Sequence, residues 1–289
     1  MIATPMLDLR QHIHIGELIL RKGPHPERAG QDAEALMRHA LGKDKAWLIA
    51  HGSEEISDDG AVLFRALVTR RSTGQPIQHI TGEQEFYGLP FRVTSDVLIP
   101  RPETEHLVEK AVELAAEFNE PRILDIGTGS GAIAVALAHH LLSAQITALD
   151  ISLRALDVAR ENAQRNAVSD RILFMRSDLL AAIADQRFEL VVSNPPYVPN
   201  ADRDSLSVEV REHEPALALF AGEDGLDVYR RLIPAAFSVL ERGGYLLLEI
   251  GHGQSEAVGA LLAQAGFEGV EFIPDLQGIP RVVCAQRPS

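Results

Sequence analysis

The sequence predicts an α/β fold, with a mostly parallel seven-stranded sheet covered by helices, preceded by a small all-α bundle and a β-hairpin linker. Three observations predict it. From Arg122 onward, seven short apolar runs bounded by turn residues read as strands: "RILDIG", "QITALD", "RILFMRSD", "FELVVSN", "GYLLLEIG", "VEFIPD" and "RVVCAQ". Four amphipathic stretches, "GAIAVALAHHLL", "SLRALDVARENAQRNA", "LDVYRRLIPAAFSVL" and "SEAVGALLAQAG", lie between several of them. Continuous apolar strands alternating with such helices belong to a parallel sheet buried on both faces. Before residue 76 the apolar period is helical throughout.

Taken in order, residues 1–75 form a helical domain. "MLDLRQHIHIGELILRKG" places Leu7, Ile13, Leu18 and Leu20 near one face and stops at Gly23-Pro24. "PERAGQDAEALMRHALG" repeats the pattern with Ala33, Leu36, Met37, Ala40 and Leu41 and closes at Gly42. "SDDGAVLFRALVTRRSTG" takes Ser57 or Asp58 as its N-cap and is expected to bury Val62, Leu63, Leu67 and Val68. Residues 76–102 are a linker. "QEFYGLPFRV" reads as a hairpin around Gly88, and "LIPRPET" sets two prolines before a helix starting near Thr104. Residues 103–289 carry the α/β domain.

Composition narrows the functional classes. The chain has 289 residues, 46% apolar and 24% charged, with a net charge of −14. Residues 1–75 carry ten basic and ten acidic side chains, so the excess acid belongs to the remainder. A protein that grips a duplex shows a basic footprint, so no direct nucleic-acid partner is expected and a basic protein partner suits better. No apolar run approaches the roughly 20 residues that span a bilayer, and the N-terminus has acids and histidines where a signal peptide carries basic residues and an apolar core. One cysteine, Cys284, excludes an internal disulfide, and the 11 histidines show no metal spacing. A cytoplasmic monomer without membrane attachment or metal is the expectation.

"ILDIGTGSGAIAVALA" is strand, glycine turn and helix. Gly127, Thr128, Gly129, Ser130 and Gly131 form a loop whose glycines let a ligand lie against the main chain, beneath the positive end of the next helix. Asp150 ends the following strand, where a carboxylate accepts both hydroxyls of a ribose. Gly127-x-Gly129-x-x-Ala132 also satisfies the dinucleotide fingerprint, so a nicotinamide enzyme stays open at this point. Asp125 tilts the choice: D-x-G-x-G-x-G resembles motif I of the class I S-adenosylmethionine methyltransferases. Asp178, ending the third strand, suits an adenine amino group as in that class, with Leu179 as an apolar face. Asp178 is alternatively an N-cap for "LLAAIA".

"VVSNPPYVP" ends the fourth strand in Asn194, Pro195, Pro196 and Tyr197. The strand end places Asn194 beside the glycine loop. A planar –NH2 group has two donors and a lone pair delocalised into its π-system. The Asn194 side-chain oxygen and the Pro195 carbonyl together accept both hydrogens, orient the nitrogen toward an electrophilic methyl and stabilise the charge gained in attack. Tyr197 stacks on the planar group or lends its ring face to a sulfonium, and the prolines keep the acceptors from relaxing.

This turn characterises methyltransferases of planar nitrogens, both adenine-N6 and protein-glutamine enzymes. "DVLIPRPETEHLVE", "RILDIGTGSGAIAVALA", "SNPPYVP", "REHEPALALFAGEDGLDVYRRLI" and "GGYLLLEIG" together resemble the HemK/PrmC family, peptide chain release factor N5-glutamine methyltransferases. The resemblance covers residues 80–289, and the helical block fits that family's small helical domain. It implies a class I, Rossmann-like methyltransferase domain. It also implies methyl transfer from S-adenosyl-L-methionine, leaving S-adenosyl-L-homocysteine, to the glutamine of the Gly-Gly-Gln tripeptide in class 1 release factors. Gly127 to Gly131, Asp150, Asp178, Leu179 and Asn194 would then contact the methyl donor, and Asn194 to Tyr197 the glutamine amide. Arg101 and Pro102 would border the site. Leu179 stands where some relatives carry an aromatic residue, so apolar contact replaces stacking. "QGIPRVV" lacks the acid expected before its arginine. An adenine-N6 nucleic-acid methyltransferase is the alternative, and the acidic charge disfavours it. Residues 198–225 form a long acidic connection after the turn, expected with the helical domain to hold the release factor.

Overall fold

The computed structural model describes residues 7–183 and 185–289. The expected absence of a signal peptide and the start of the helical domain thus fall partly on residues 1–6, outside the described residues, as does Ala184 of "LLAAIA". The chain forms two compact units, one of Met1–Gly82 with Ser207–His213 and one of Glu83–Leu206 with Glu214–Ser289.

In the first unit, α1 (Leu9–Leu20) opens with a capping box. The Asp8 carboxylate accepts the Gln11 amide at 2.8 Å, and the Gln11 side chain accepts the Asp8 amide at 2.9 Å. α2 (Ala29–Leu41) ends at left-handed Gly42, and α3 (Lys45–Ala50) and α5 (Ile77–Thr81) are short additions that the periodicity did not announce. α4 (Asp58–Ser72) is capped by Ser57. Leu9, Leu20, Leu36, Met37, Phe64 and Leu67 make the core. The faces of α1 and α4 differ from expectation. A Cβ at Gly16 would stand 2.6 Å from the Phe64 ring, so α1 rests on α4 at this glycine. That contact buries Leu9, Gly16 and Leu20 and turns Leu18 outward; in α4, Ala61 and Phe64 are buried and Val62 and Leu63 face solvent. The unit runs to Gly82, past the boundary expected at residue 75, and takes in part of the long acidic connection.

The second unit begins with the hairpin, β1 (Glu83–Phe86) and β2 (Leu89–Arg92), joined through Tyr87 and Gly88, both at positive φ as a two-residue turn requires. Then come α6 (Glu105–Ala115), β3 (Arg122–Ile126), α7 (Ala132–His140), β4 (Gln145–Asp150), α8 (Leu153–Arg165), β5 (Ile172–Arg176) and β6 (Phe188–Ser193). The short helix α9 (Val208–His213) belongs to the first unit. There Glu209 pairs with buried Arg71, which also bonds Asp32 at 2.6 Å. β7 (Leu240–Glu249) follows α10 (Asp227–Val239), and α11 (Ser255–Ala265), β8 (Glu268–Pro274) and β9 (Pro280–Gln286) complete the chain.

The seven-stranded sheet has the order β5-β4-β3-β6-β7-β9-β8, parallel except for the pairs made by β9. Strand residues alternate between two cores: Ile123, Leu190 and Val192 pack on one side, Leu124, Val191 and Leu246 on the other. Both faces are therefore buried, which is why the strands read as unbroken apolar runs. At the β8–β9 turn, where the acid before Arg281 is missing, Asp275 supplies a carboxylate oxygen 3.1 Å from the Arg281 Nε. β3 has β4 on one side and β6 on the other, so strand order reverses there and the loops after β3 and β6 open into one crevice. No helix among the described residues is long and apolar enough to cross a membrane.

Candidate active site

The loop after β3 is built by main-chain geometry. Gly127, Gly129 and Gly131 all have positive φ, and the Gly127 and Thr128 amides donate to the Leu149 carbonyl at 2.8 and 2.9 Å. A Cβ at Gly131 would lie 3.0 Å from that of Ala159, so this glycine lets α7 and α8 approach. A Cβ at Gly127 would meet nothing within 4 Å and would project into open space. Beneath the loop, buried Asp125 accepts the Thr128 hydroxyl at 2.6 Å, and burial pushes its carboxyl up to about 7. Asp150 accepts the Gly129 amide on one oxygen at 2.9 Å and the Ser152 amide on the other at 2.8 Å. Burial raises its pKa, and the amides oppose the rise. Each oxygen keeps lone-pair capacity for a further donor.

A cavity of about 330 Å³ lies over this loop. Gly127 to Ser130, Asp150, Asp178, Leu179 and Arg101 line it, as do Asn194 and Pro196 from the turn after β6. The structure thus gathers most of the expected site residues around one space. Gly131, Pro102, Pro195 and Tyr197 stand outside the lining. Leu179 reaches the cavity from a left-handed backbone, with φ of 48°, a conformation that costs a non-glycine residue of order 1–3 kcal/mol and is held where surroundings demand it. Asp178 does not cap a helix. Ser177 accepts the Ala182 amide instead, residues 179–182 form turns, and the Asp178 carboxylate takes a bidentate bond from Arg231 at 2.8 and 2.9 Å. Both bonds come from a single nitrogen, Arg231 Nη2, in an exposed pair, and the Asp178 carboxylate makes no cap bond.

The turn is held from three sides. The Ser193 hydroxyl donates to the Ile126 carbonyl at 2.6 Å, tying the end of β6 to the end of β3. Val198 and Asn200 bond with the returning segment at Leu219, Ala221 and Gly222, which brings Leu217 and Phe220 to the cavity wall. Arg101 anchors the start of that segment through both oxygens of Glu214 at 2.6 and 2.8 Å. Behind the turn, Asn194 Nδ2 donates to Thr104 Oγ1 at 3.1 Å, and Thr104 Oγ1 donates to Glu249 Oε2 at 2.5 Å. The Tyr197 hydroxyl donates to the other Glu249 oxygen at 3.3 Å. Burial pushes the Glu249 carboxyl up to about 7 and raises Tyr197 above the ordinary phenol range.

Sequence reasoning missed Thr104, Glu249, Glu214 and the wall residues Leu217 and Phe220. One signal existed: a glutamate inside "GYLLLEIG" must find a partner once the strand is buried.

The arrangement fits a nucleoside-type methyl donor. The glycine loop offers an open main-chain cradle, Asp150 offers a carboxylate for paired hydroxyls, and Leu179 offers an apolar face. Comparison with known proteins agrees. Residues 104–211 match the methyltransferase small domain, and residues 17–82 match the PrmC N-terminal domain. The chain is 46% identical over 266 residues to the release factor glutamine methyltransferase of Bradyrhizobium diazoefficiens, covering 90% of this chain and 89% of that one. It is 38% identical to the enzyme of the same name from Rhodopirellula baltica, covering 98% and 97%. Among solved structures it is similar to the hMettl16 catalytic domain in complex with a MAT2A 3′UTR hairpin. That similarity has a TM-score of 0.57 and 18% identity over 81% of this chain and 83% of the other, a likeness of fold that leaves the substrate open.

Proposed function

The chain belongs to the release factor glutamine methyltransferase family, and on that premise we propose that it methylates the side-chain nitrogen, N5, of the Gly-Gly-Gln glutamine in class 1 release factors. S-adenosyl-L-methionine, held by the glycine loop and Asp150, supplies an electrophilic methyl on sulfur when bound. The observation that carries the reading is that Asn194 and the glycine loop line one cavity at the reversal of strand order.

The residues of this chain bind, orient and desolvate. Asp150 takes the ribose hydroxyls, with Gly129 and Ser152 amides keeping its carboxylate in place. Asp178 and Leu179 border the adenine. Asn194 Oδ1 and the Pro195 carbonyl accept the two hydrogens of the glutamine amide. They aim its nitrogen at the methyl and stabilise the positive charge that grows there. Pro195 and Pro196 stiffen that grip. Phe220 and, at the exposed rim, Leu217 make the same wall apolar. The nitrogen–methyl bond forms as the sulfur–methyl bond breaks, and the cationic nitrogen then releases one of its own two hydrogens as a proton to water, so no general base need stand over the nitrogen during attack. Mass spectrometry tests the function: a release factor incubated with the protein and S-adenosylmethionine gains the mass of one methyl substitution, confined to the peptide with the tripeptide. Methylation of RNA or DNA in its place would overturn the reading.

The helical unit is the proposed docking domain for the release factor. Ile15, Leu18 and Ile19 share the outer face of α1 and are 41–47% exposed, a spacing that makes one apolar stripe. The double variant Ile15→Glu, Leu18→Glu is expected to raise KM for whole release factor about tenfold and to leave a short Gly-Gly-Gln peptide unaffected. Equal loss on both substrates would count against docking. The reading sets the reaction in the cytoplasm, carried out by a monomer.

A further inference from the structure

From Asn194 a chain of hydrogen bonds runs through Thr104, which also lines the cavity, to Glu249, and the proposed mechanism gives a role only to its first member. Thr104 heads α6 with a backbone that is already helical (φ −68°, ψ −18°), not the extended form in which a threonine hydroxyl accepts a main-chain amide of the first turn. It makes no such bond. Its hydroxyl turns instead to Glu249 Oε2, while its oxygen receives Asn194 Nδ2. Thr104 and Glu249 are both buried, so water does not compete for these groups.

The directions of these bonds are fixed by inventory. An ionised carboxylate only accepts, and a hydroxyl has a single hydrogen. With that hydrogen committed to Glu249, Thr104 Oγ1 can only accept. The two ends of a carboxamide have nearly the same shape, so nothing steric decides which end of Asn194 faces the cavity. A reversed carboxamide would set Oδ1 against the Thr104 oxygen, acceptor against acceptor, and present an N–H to a substrate that is itself a donor.

We propose that Thr104 is a positioning residue for Asn194: held as a donor to Glu249, it keeps Nδ2 turned inward and leaves Oδ1 as the acceptor for the substrate's N–H. The inference deepens the proposed function and rests on it. It also gives the relay a pH sense. A protonated Glu249 donates to Thr104, which frees the threonine hydroxyl to donate to Oδ1 and stabilises the reversed carboxamide. Around the Glu249 carboxylate stand Thr104 and Tyr197 as donors, Glu103 as a like charge and Arg281 as an opposite one. Tyr229 bonds only the Glu249 main-chain carbonyl, at 2.7 Å. Burial dominates and holds the carboxyl at about 7. The competent orientation is therefore favoured above that pH and lost below it.

The test compares Thr104→Val, which keeps shape and loses the hydroxyl, with Thr104→Ser, which keeps the hydroxyl. Release factor methylation gives kcat and KM, calorimetry gives the dissociation constant of S-adenosylhomocysteine, and thermal melts check folding. Thr104→Val is expected to lower kcat by about 10- to 100-fold with KM and product affinity within about threefold, and Thr104→Ser to recover most of the rate. Wild-type kcat falls as pH drops through about 7, and in Glu249→Gln that acidic limb is absent. Val turnover within threefold of wild type, Ser no better than Val, or an acidic limb that survives in Glu249→Gln would each overturn the positioning role. A wild-type protein that modifies no glutamine would instead overturn the function on which it rests. Should Thr104→Val fail to fold, the serine variant and the pH profiles still decide.

Discussion

Asn194→Ala is expected to reduce kcat for glutamine methylation by about 100- to 1,000-fold while S-adenosylhomocysteine affinity stays within a few-fold. The asymmetry follows from the chemistry. An amide nitrogen is a poor nucleophile because its lone pair is spread into the carbonyl, and it gains positive charge only as the new bond forms. An acceptor on its hydrogen is therefore worth more in the transition state than in the ground state. The methyl donor keeps the glycine loop and Asp150, which Asn194 does not build. Single-turnover transfer and product titration separate the two quantities. Turnover within a few-fold of wild type would remove Asn194 from its role.

Gly225→Ala is expected to be the most damaging single-methyl substitution near the site. Gly225 has φ of 74°, and a Cβ there would press against the Tyr197 carbonyl oxygen closer than van der Waals contact and lie 2.9 Å from Nε2 of Gln254. Gln254 is the clamp of this region: its Nε2 donates to the Tyr197 carbonyl at 3.0 Å, and its Oε1 accepts the Gly251 amide at 2.9 Å. Backbone strain and overpacking together cost about 2–4 kcal/mol, and the displaced turn should carry transfer down more than about tenfold. Gly253→Ala is the control. Its φ is 79°, yet nothing lies within 4 Å of the added carbon, so only strain of about 1 kcal/mol applies. Urea melts of the two variants measure the difference; equal destabilisation would mean that the Tyr197 contact is not what constrains Gly225.

Strands and glycine loop were legible because their physics is local. A strand buried on both faces is apolar at successive positions, and Leu190, Val191 and Val192 of β6 show it. Three positive-φ positions in one loop strongly favour glycine, and this loop has glycine at each. Helix phase in the first unit was less legible. Leu18, Val62 and Leu63 satisfy a helical period, but the contact of Gly16 with Phe64 sets the rotation of α1 and α4, and glycine adds nothing to an apolar pattern. The relay behind Asn194 was hidden for another reason. Its members come from residues 104, 194 and 249, and a threonine ahead of a helix reads first as a cap. The bond from the Tyr197 hydroxyl to Glu249 was hidden in the same way, because residues 197 and 249 meet only in the folded chain.

The path of the chain through Ser207–His213 has a practical corollary. Because this stretch belongs to the unit headed by Met1–Gly82, the backbone crosses between the units three times. A chimera that exchanged only the amino-terminal portion with a relative's would leave a foreign helix facing Arg71 and Asp32. Exchanging this unit between relatives therefore calls for transplanting both stretches at once, with Glu209 travelling alongside its arginine.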